Sequence, residues 1–223
     1  MNTLHEEQLK IAQNGITIKN NVAAFQRSFF SNWYGAFKNQ PWGAFNMKPG
    51  DFTRFIQPYS QSNVDRYYEL YDNGDILTNN NISFNCSEQA MMFGKAVIFG
   101  DWEKAEEIMR SSHPNIQKTL GRAIKGYNPV YWANIRVDYM TKVLFEKFKQ
   151  NPVIDELLTI KYKNYIICEA SPWDAIWGIG MGPDNPDTYD VDKWQGLNVL
   201  GTVLMNTRML RQNHMNATTE EAR

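Results

Sequence analysis

The sequence predicts one mixed domain, mostly helical, with a few short strands. Three stretches carry that prediction. Residues 85–150 repeat apolar positions at helical spacing, residues 25–45 are aromatic and rich in turn formers, and Tyr165-Ile166-Ile167-Cys168 is an apolar run of strand length. With 223 residues, 43% hydrophobic and 13% aromatic, the chain is long enough to bury one sizeable core.

In chain order, residues 1–24 are polar and read as an N-terminal extension. The domain proper is expected over 25–211. In residues 25–45, Phe29, Phe30, Trp33, Tyr34, Phe37, Trp42 and Phe45 crowd around Gly35, Pro41 and Gly43, which suits short strands and loops. Ser31-Asn32-Trp33-Tyr34 reads locally as a turn. Residues 46–83 carry Pro49, Gly50 and Pro58, then Asp72-Asn73-Gly74-Asp75 and Asn79-Asn80-Asn81. They are expected to form a variable surface insert with a turn near Gly74.

Phe84-Asn85-Cys86-Ser87-Glu88-Gln89-Ala90-Met91-Met92-Phe93-Gly94-Lys95-Ala96 opens the helical region. The Asn85 to Glu88 spacing fits a capping box. The same Glu88 returns with Lys95, seven residues on, to nearly one face, about 10 Å apart along the axis. Met91, Met92 and Phe93 between them belong in a core, so the acid and the amine either pair, are satisfied locally or line a cavity.

Further on, Asp101 can cap a helix over 101–111, and Pro114 fits the first turn of the next. Gly121 and Gly126 frame Arg122, Ala123 and Ile124. A long helix over 129–150 lines up Trp132, Ile135 or Arg136, Tyr139 or Met140, Val143 or Leu144, and Phe148. Trp132 is either core or the wall of a site for a base or sugar. A short helix through Ile154 and Leu158 precedes the strand at 165–168. That strand runs into Glu169-Ala170-Ser171-Pro172-Trp173-Asp174-Ala175-Ile176-Trp177-Gly178-Ile179-Gly180, which makes a poor surface loop and a good pocket lip. A helix over 197–211 closes the domain, and 212–223 read as a C-terminal tail.

Composition excludes several classes. With 23 basic and 24 acidic residues the net charge is −1, so no global field advertises nucleic acid or membrane. Cys86 and Cys168 both sit in apolar segments, which fits buried free thiols in a reducing, cytoplasmic setting. No run approaches the roughly 18 apolar residues of a membrane span. No zinc spacing and no other metal-ligand set is evident.

The motifs, taken together, resemble the NADAR superfamily, which includes the YbiA-like N-glycosidases. The resemblance rests on Ser31-Asn32-Trp33-Tyr34; Asn85-Cys86-Ser87-Glu88-Gln89 with Met91, Met92 and Lys95; and Leu120-Gly121-Arg122. It continues through Trp132, Lys147-Phe148-Gln150-Asn151-Pro152, Leu157-Leu158-Thr159 and the whole 169–180 stretch. It ends on Trp194-Gln195-Gly196-Leu197-Asn198-Val199-Leu200-Gly201 and Leu204-Met205 with Arg208. The set occurs in family order across about residues 29–211. Two departures bear on specificity: a longer segment between Asn32 and Glu88, and the extension at 1–24.

The resemblance implies a compact, mostly helical α+β fold with a small β-sheet, and cleavage of an N-glycosidic bond; such hydrolysis does not require a metal, so no cofactor is expected and activity should resist chelators. Its substrates imply two activities: removal of ADP-ribose from guanine, in DNA or RNA or as nucleoside, and hydrolysis of phosphorylated riboflavin-pathway intermediates. Glu88 and Asp174 match the family's acids. Lys95 is either a phosphate or carboxylate partner or an amine that attacks an opened ribose. Arg122 suits a phosphate fork or a surface ion pair, Asn32 suits ribose hydroxyls, and Trp132, Trp177 and Gly178 complete the substrate-binding set. Trp173, Trp194 and Asn198 are assigned to supporting structure. Arg54, Arg66, Lys118, Lys125 and Lys142 can serve an approaching nucleic acid. The first activity is favoured over the second, and over a non-catalytic ADP-ribose reader, because the added segments give room for a larger partner and both acids are present.

Overall fold

A computed structural model describes residues 3–37, 40, 42–72 and 81–221. The chain runs α1 (Thr3–Ala12), β1 (Ile16–Lys19), β2 (Val22–Phe25), β3 (Phe45–Met47), α2 (Gly50–Ile56), α3 (Gln61–Asp72) and β4 (Ile82–Phe84). It continues with α4 (Ser87–Ile98), α5 (Trp102–Arg110), α6 (Pro114–Arg122), α7 (Pro129–Lys149) and α8 (Pro152–Glu156), whose path extends through a π-helical turn, Leu157–Lys161. Then come β5 (Ile166–Glu169), two 3-10 turns (Pro186–Tyr189 and Val191–Lys193) and α9 (Val199–Glu221). The mostly helical α+β class expected from the sequence is the one adopted. Contacts divide the chain into two compact units, one of Met1–Tyr34 with Phe148–Arg223 and one of Gly35–Lys147.

In the first unit a three-stranded sheet has the order β1-β2-β5. β1 and β2 form an antiparallel hairpin from Ile16↔Phe25 to Lys19↔Val22. Asn20 and Asn21, at φ 49° and 63°, make its two-residue turn, where asparagine tolerates the left-handed backbone that a right-twisted hairpin requires. β2 runs parallel to β5, from Val22↔Ile166 to Phe25↔Glu169. All four residues of β2 are buried. The expected polar extension is therefore built into the sheet from Ile16 onward. One cluster buries Val22, Ala24, Cys168, Ala170, Ile179, Met181 and Tyr189, with Trp194 packed against it. A second, aromatic group joins Phe25, Phe29, Phe30, Phe148 and Tyr162.

α9 begins two residues later than expected and continues past Arg211 to Glu221. Residues 213–218 in its added turns are exposed, so no apolar stripe marks them. Extending an existing helix costs little, because each added residue gains a hydrogen bond without a new nucleus.

In the second unit α4 is the central helix. Every residue of it except Lys95 is buried, so it is packed on all sides rather than on one stripe. Glycines set the close approaches: a Cβ on Gly94 would lie 1.9 Å from the Tyr139 hydroxyl, and one on Gly121 would lie 1.9 Å from Met92 Sδ. Tyr139, on α7, donates to the Ala90 carbonyl at 2.6 Å. α5 is capped by Asp101, whose carboxylate accepts from Lys104 N, and α6 starts at Pro114 after His113, both as expected.

Residues 46–72 are more than surface. β3 pairs antiparallel with β4, and Phe52, Ile56 and Tyr67 of α2 and α3 are fully buried. Phe52 contacts Phe84, Phe93 and Tyr139 at centroid distances of 6.1, 5.6 and 6.1 Å. Prolines and polar residues mask these two short helices in the sequence. The turn expected at Asp72-Asn73-Gly74-Asp75 lies outside the described residues from Asn73 on, as do Asn79, Asn80 and Pro41.

Candidate active site

The start of α4 does not form the expected capping box. Cys86 is the N-cap residue and makes no side-chain cap. The Asn85 amide instead donates to Ser112 O at 2.7 Å and accepts from Gln117 Nε2 at 3.2 Å. Gln89, not Glu88, reaches back to the backbone, accepting from Asn85 N at 2.8 Å. Its own amide donates to the carbonyls of Ile108, Met109 and Ser111. The Asn85 N–H is thus met by Gln89. Glu88 sits in the first turn of α4, only 3% exposed, where backbone N–H dipoles favour an anionic side chain.

Lys95, two turns on, donates from Nζ to the Gly121 carbonyl at 2.8 Å, and Nζ lies 4.0 Å from the centre of the Tyr127 ring. Partial burial pushes its amine down to about 8; the positive Arg122 acts in the same direction and the charge of Glu88 opposes it. Glu88 and Arg122 are therefore each within electrostatic range of Lys95. Arg122 ends α6 and is exposed. Trp132, on α7, is 6% exposed and packs 5.9 Å from Tyr139, so its ring is largely committed to the core of this unit.

Three residues of this unit carried no site role in the sequence, although Arg136 and Lys147 stand in stretches singled out there. Tyr127 forms the surface under the Lys95 amine. Arg136, one turn after Trp132, is half-buried, and its charge acts on the Tyr127 phenol. The four-residue step from Trp132 was the available signal for it. Lys147 is fully buried beside Cys86, and burial pushes it to about 8. Cys86 donates to Gln117 Oε1 at 3.4 Å, and burial raises its thiol to about 12.

In the first unit, Asp174, Trp177 and Gly178 share the loop that follows β5. Asp174 and Trp177 are half-buried and Gly178 is buried. The Asp174 carboxylate accepts from Ile176 N at 3.1 Å and Trp177 N at 2.8 Å, which fixes the loop on its own acid. The carbonyls of Ala175, Ile176, Trp177 and Gly178 accept from the backbone N–H groups of Leu197, Val199, Leu200 and Asn198. The unsatisfied donors at the start of α9 are thus met by this loop. A Cβ on Gly178 would stand 2.8 Å from the carbonyls of Asp174 and Glu169, so the fold admits only glycine there.

Asn198, at φ 50°, accepts from Glu169 N at 3.2 Å and donates to Ile167 O at 2.9 Å. Trp194 donates its indole N–H to Thr188 O. Both serve the supporting structure assigned to them. Trp173 does not: it is 92% exposed and supports nothing. Asn32 lies in the expected turn, 7% exposed, with its side-chain oxygen buried and unbonded. Among the described residues, no group of three or more His, Cys, Asp or Glu could hold a metal ion, and no helix is long and apolar enough to cross a membrane.

A mostly helical α+β fold with a buried acid beside a cationic cluster defines a class that comparison with known proteins makes specific. The NADAR domain model matches residues 23–210, and the chain belongs to that family. An N-glycosidase of Acanthamoeba polyphaga mimivirus is 40% identical over 122 residues, which cover 55% of this chain and 71% of that protein. Protein irg-1 of Caenorhabditis elegans is 35% identical over 129 residues, 57% of this chain and 60% of that one. A riboflavin biosynthesis protein of Vibrio vulnificus (strain YJ016) is 29% identical over 154 residues, 66% of this chain but 38% of that protein. The fold is similar to the NMR structure of the E. coli protein YbiA, with a TM-score of 0.54 and 21% identity over 92% of this chain and 94% of that chain.

Proposed function

We propose that this protein is an N-glycosidase that hydrolyses the bond between a nitrogen and C1 of a phosphorylated ribose, and that it removes ADP-ribose from guanine in nucleic acid or nucleosides. The observation that carries the reading is the buried Glu88 carboxylate within electrostatic range of the Lys95 amine, which bonds the Gly121 carbonyl and on which Arg122 also acts. An acid is what C1 chemistry needs, and cations are what a phosphorylated sugar needs. Family membership and the N-glycosidase name of the viral relative support it.

In the reaction the C1–N bond breaks with its electron pair leaving on nitrogen. Positive charge develops on the ribose, water adds to C1, one proton reaches the departing base and one is taken from the water. Glu88 in one unit and Asp174 in the other, the acids that match the family's, are each a candidate for these proton and charge duties. Lys95 and Arg122 hold phosphate, with Lys95 positively charged in that role. Asn32 offers its unbonded oxygen to a ribose hydroxyl; Trp177 and Gly178 are candidates for contact with base or sugar, and Trp132, whose ring is largely buried, for contact through its remaining edge.

A second reading, hydrolysis of phosphorylated riboflavin-pathway intermediates, is favoured by the name of the Vibrio relative. Chromatography of products separates the two. Purified protein is incubated with a guanine-ADP-ribosylated oligonucleotide and, separately, with the phosphorylated riboflavin precursor. Release of free ADP-ribose with unmodified guanine supports the first reading; turnover of the precursor alone, yielding ribose 5-phosphate, replaces it with the second. Binding of ADP-ribose without turnover of either substrate would make the protein a reader and sink both.

A further inference from the structure

Arg136 carries a charge that the fold leaves unanswered. Its Nε is buried with no hydrogen-bond partner, and among the described residues its guanidinium makes no hydrogen bond or ion pair. The other inward arginines are treated differently. Arg211 forms a two-point fork on Asp155, at 3.0 and 2.9 Å, and Arg208 donates to the carbonyls of Tyr162 and Tyr165. Leaving a buried charged donor unsatisfied costs folding free energy, because the group loses its water and gains no partner. A site that keeps such a donor recovers that cost when an anion arrives.

The surroundings identify the anion. Arg136 acts on Tyr127, and Tyr127 is the ring over which the Lys95 amine lies at 4.0 Å. Lys95 is bonded to the carbonyl of Gly121, next to Arg122 at the end of α6. Lys95 on α4 and Arg136 on α7 thus both act on one exposed tyrosine, and Arg122 at the end of α6 acts on Lys95. A single phosphoryl group accepts one planar fork well, whereas two linked phosphoryl groups can occupy a fork each. Tyr127, 41% exposed, leaves the cluster open to a ligand from solution.

We propose that Arg136 is a specificity-determining residue that binds a second phosphoryl group, so that the Lys95, Arg122 and Arg136 cluster selects a diphosphate over a monophosphate. This rests on the proposed function for its meaning and gives the ADP-ribose reading a residue that a monophosphate substrate does not require.

Isothermal titration with ADP-ribose, ribose 5-phosphate, pyrophosphate and orthophosphate tests it on wild type, Arg136→Gln and Arg136→Lys. Wild type is expected to prefer each diphosphate to its monophosphate counterpart. Arg136→Gln should weaken the diphosphates about 10- to 100-fold, the worth of a charge-assisted hydrogen bond, and erase the preference. Arg136→Lys should recover part of it. Equal weakening of both ligand types, or no change in either, overturns the assignment. Thermal melting of each variant guards against misfolding, and the Lys variant carries the test if the Gln variant melts early. A retained diphosphate preference without cleavage of any N-glycoside would sink the proposed reaction and leave Arg136 standing; cleavage without the preference would do the reverse.

Discussion

Glu88 was legible as a two-way choice between a cap and a site, and the structure resolves only the first half. Gln89 takes the reach-back bond, because it stands one position further into the helix and its amide can also serve three carbonyls at the end of α5. Glu88→Gln, which keeps shape and removes charge, is expected to leave the circular dichroism spectrum and melting temperature close to wild type. It should lower turnover about 100-fold or more, the scale of general acid–base catalysis. Full activity in that variant would return Glu88 to a packing role. Lys95 gives a pH signature with a definite sign. Its folded value is near 8 rather than the ordinary 10.5, so the cationic amine is lost as pH rises through about 8. Affinity for ADP-ribose should fall across that pH, and the fall should vanish in Lys95→Met. An amine that attacks the sugar would instead be activated across the same range.

At the scale of elements, the long helix and the cap at Asp101 were readable from spacing alone. Short elements were not. The hairpin of β1 and β2 turns on Asn20-Asn21, a pair with the right chemistry for a two-residue turn, but the weak alternation of Ile16–Lys19 hid it in a polar extension. α2 and α3 are buried through a few aromatics, Phe52, Phe55 and Tyr67, set among polar residues, so no long stripe betrayed them. The loop after β5 was legible as unusual, but not the way its carbonyls meet the start of α9. Asn198 is the clasp of that arrangement. Asn198→Ala loses two side-chain bonds and must hold φ 50° without them, so a loss of about 3 kcal/mol is expected in urea denaturation. Asn198→Gly, which tolerates the backbone, should lose less.

For the whole molecule, the class of fold and the family followed from ordered motifs, whereas the surroundings of Tyr127, Arg136 and Lys147 emerged only from packing. Their alkaline behaviour is testable. Lys95 and Lys147 sit near 8 when folded against 10.5 ordinarily, so above about pH 8 the unfolded chain holds more protons and stability rises with pH. Cys86 and Cys168 work against this: burial lifts both thiols from 9.0 to about 12, so above about pH 9 the unfolded chain releases protons that the folded one keeps. The denaturation midpoint should therefore climb from about pH 8 to 9 and flatten beyond. A midpoint that falls from pH 8 onward would contradict the buried, lowered lysines.

The measurement closest to the central claim is mass spectrometry of the products formed from ADP-ribosyl-guanosine. Two species are expected, free ADP-ribose and unmodified guanosine, the signature of a cut between ribose C1 and the base nitrogen. AMP together with a phosphoribosyl-guanosine would show that the cationic cluster serves cleavage of the diphosphate instead, and would contradict the assignment of an N-glycosidase.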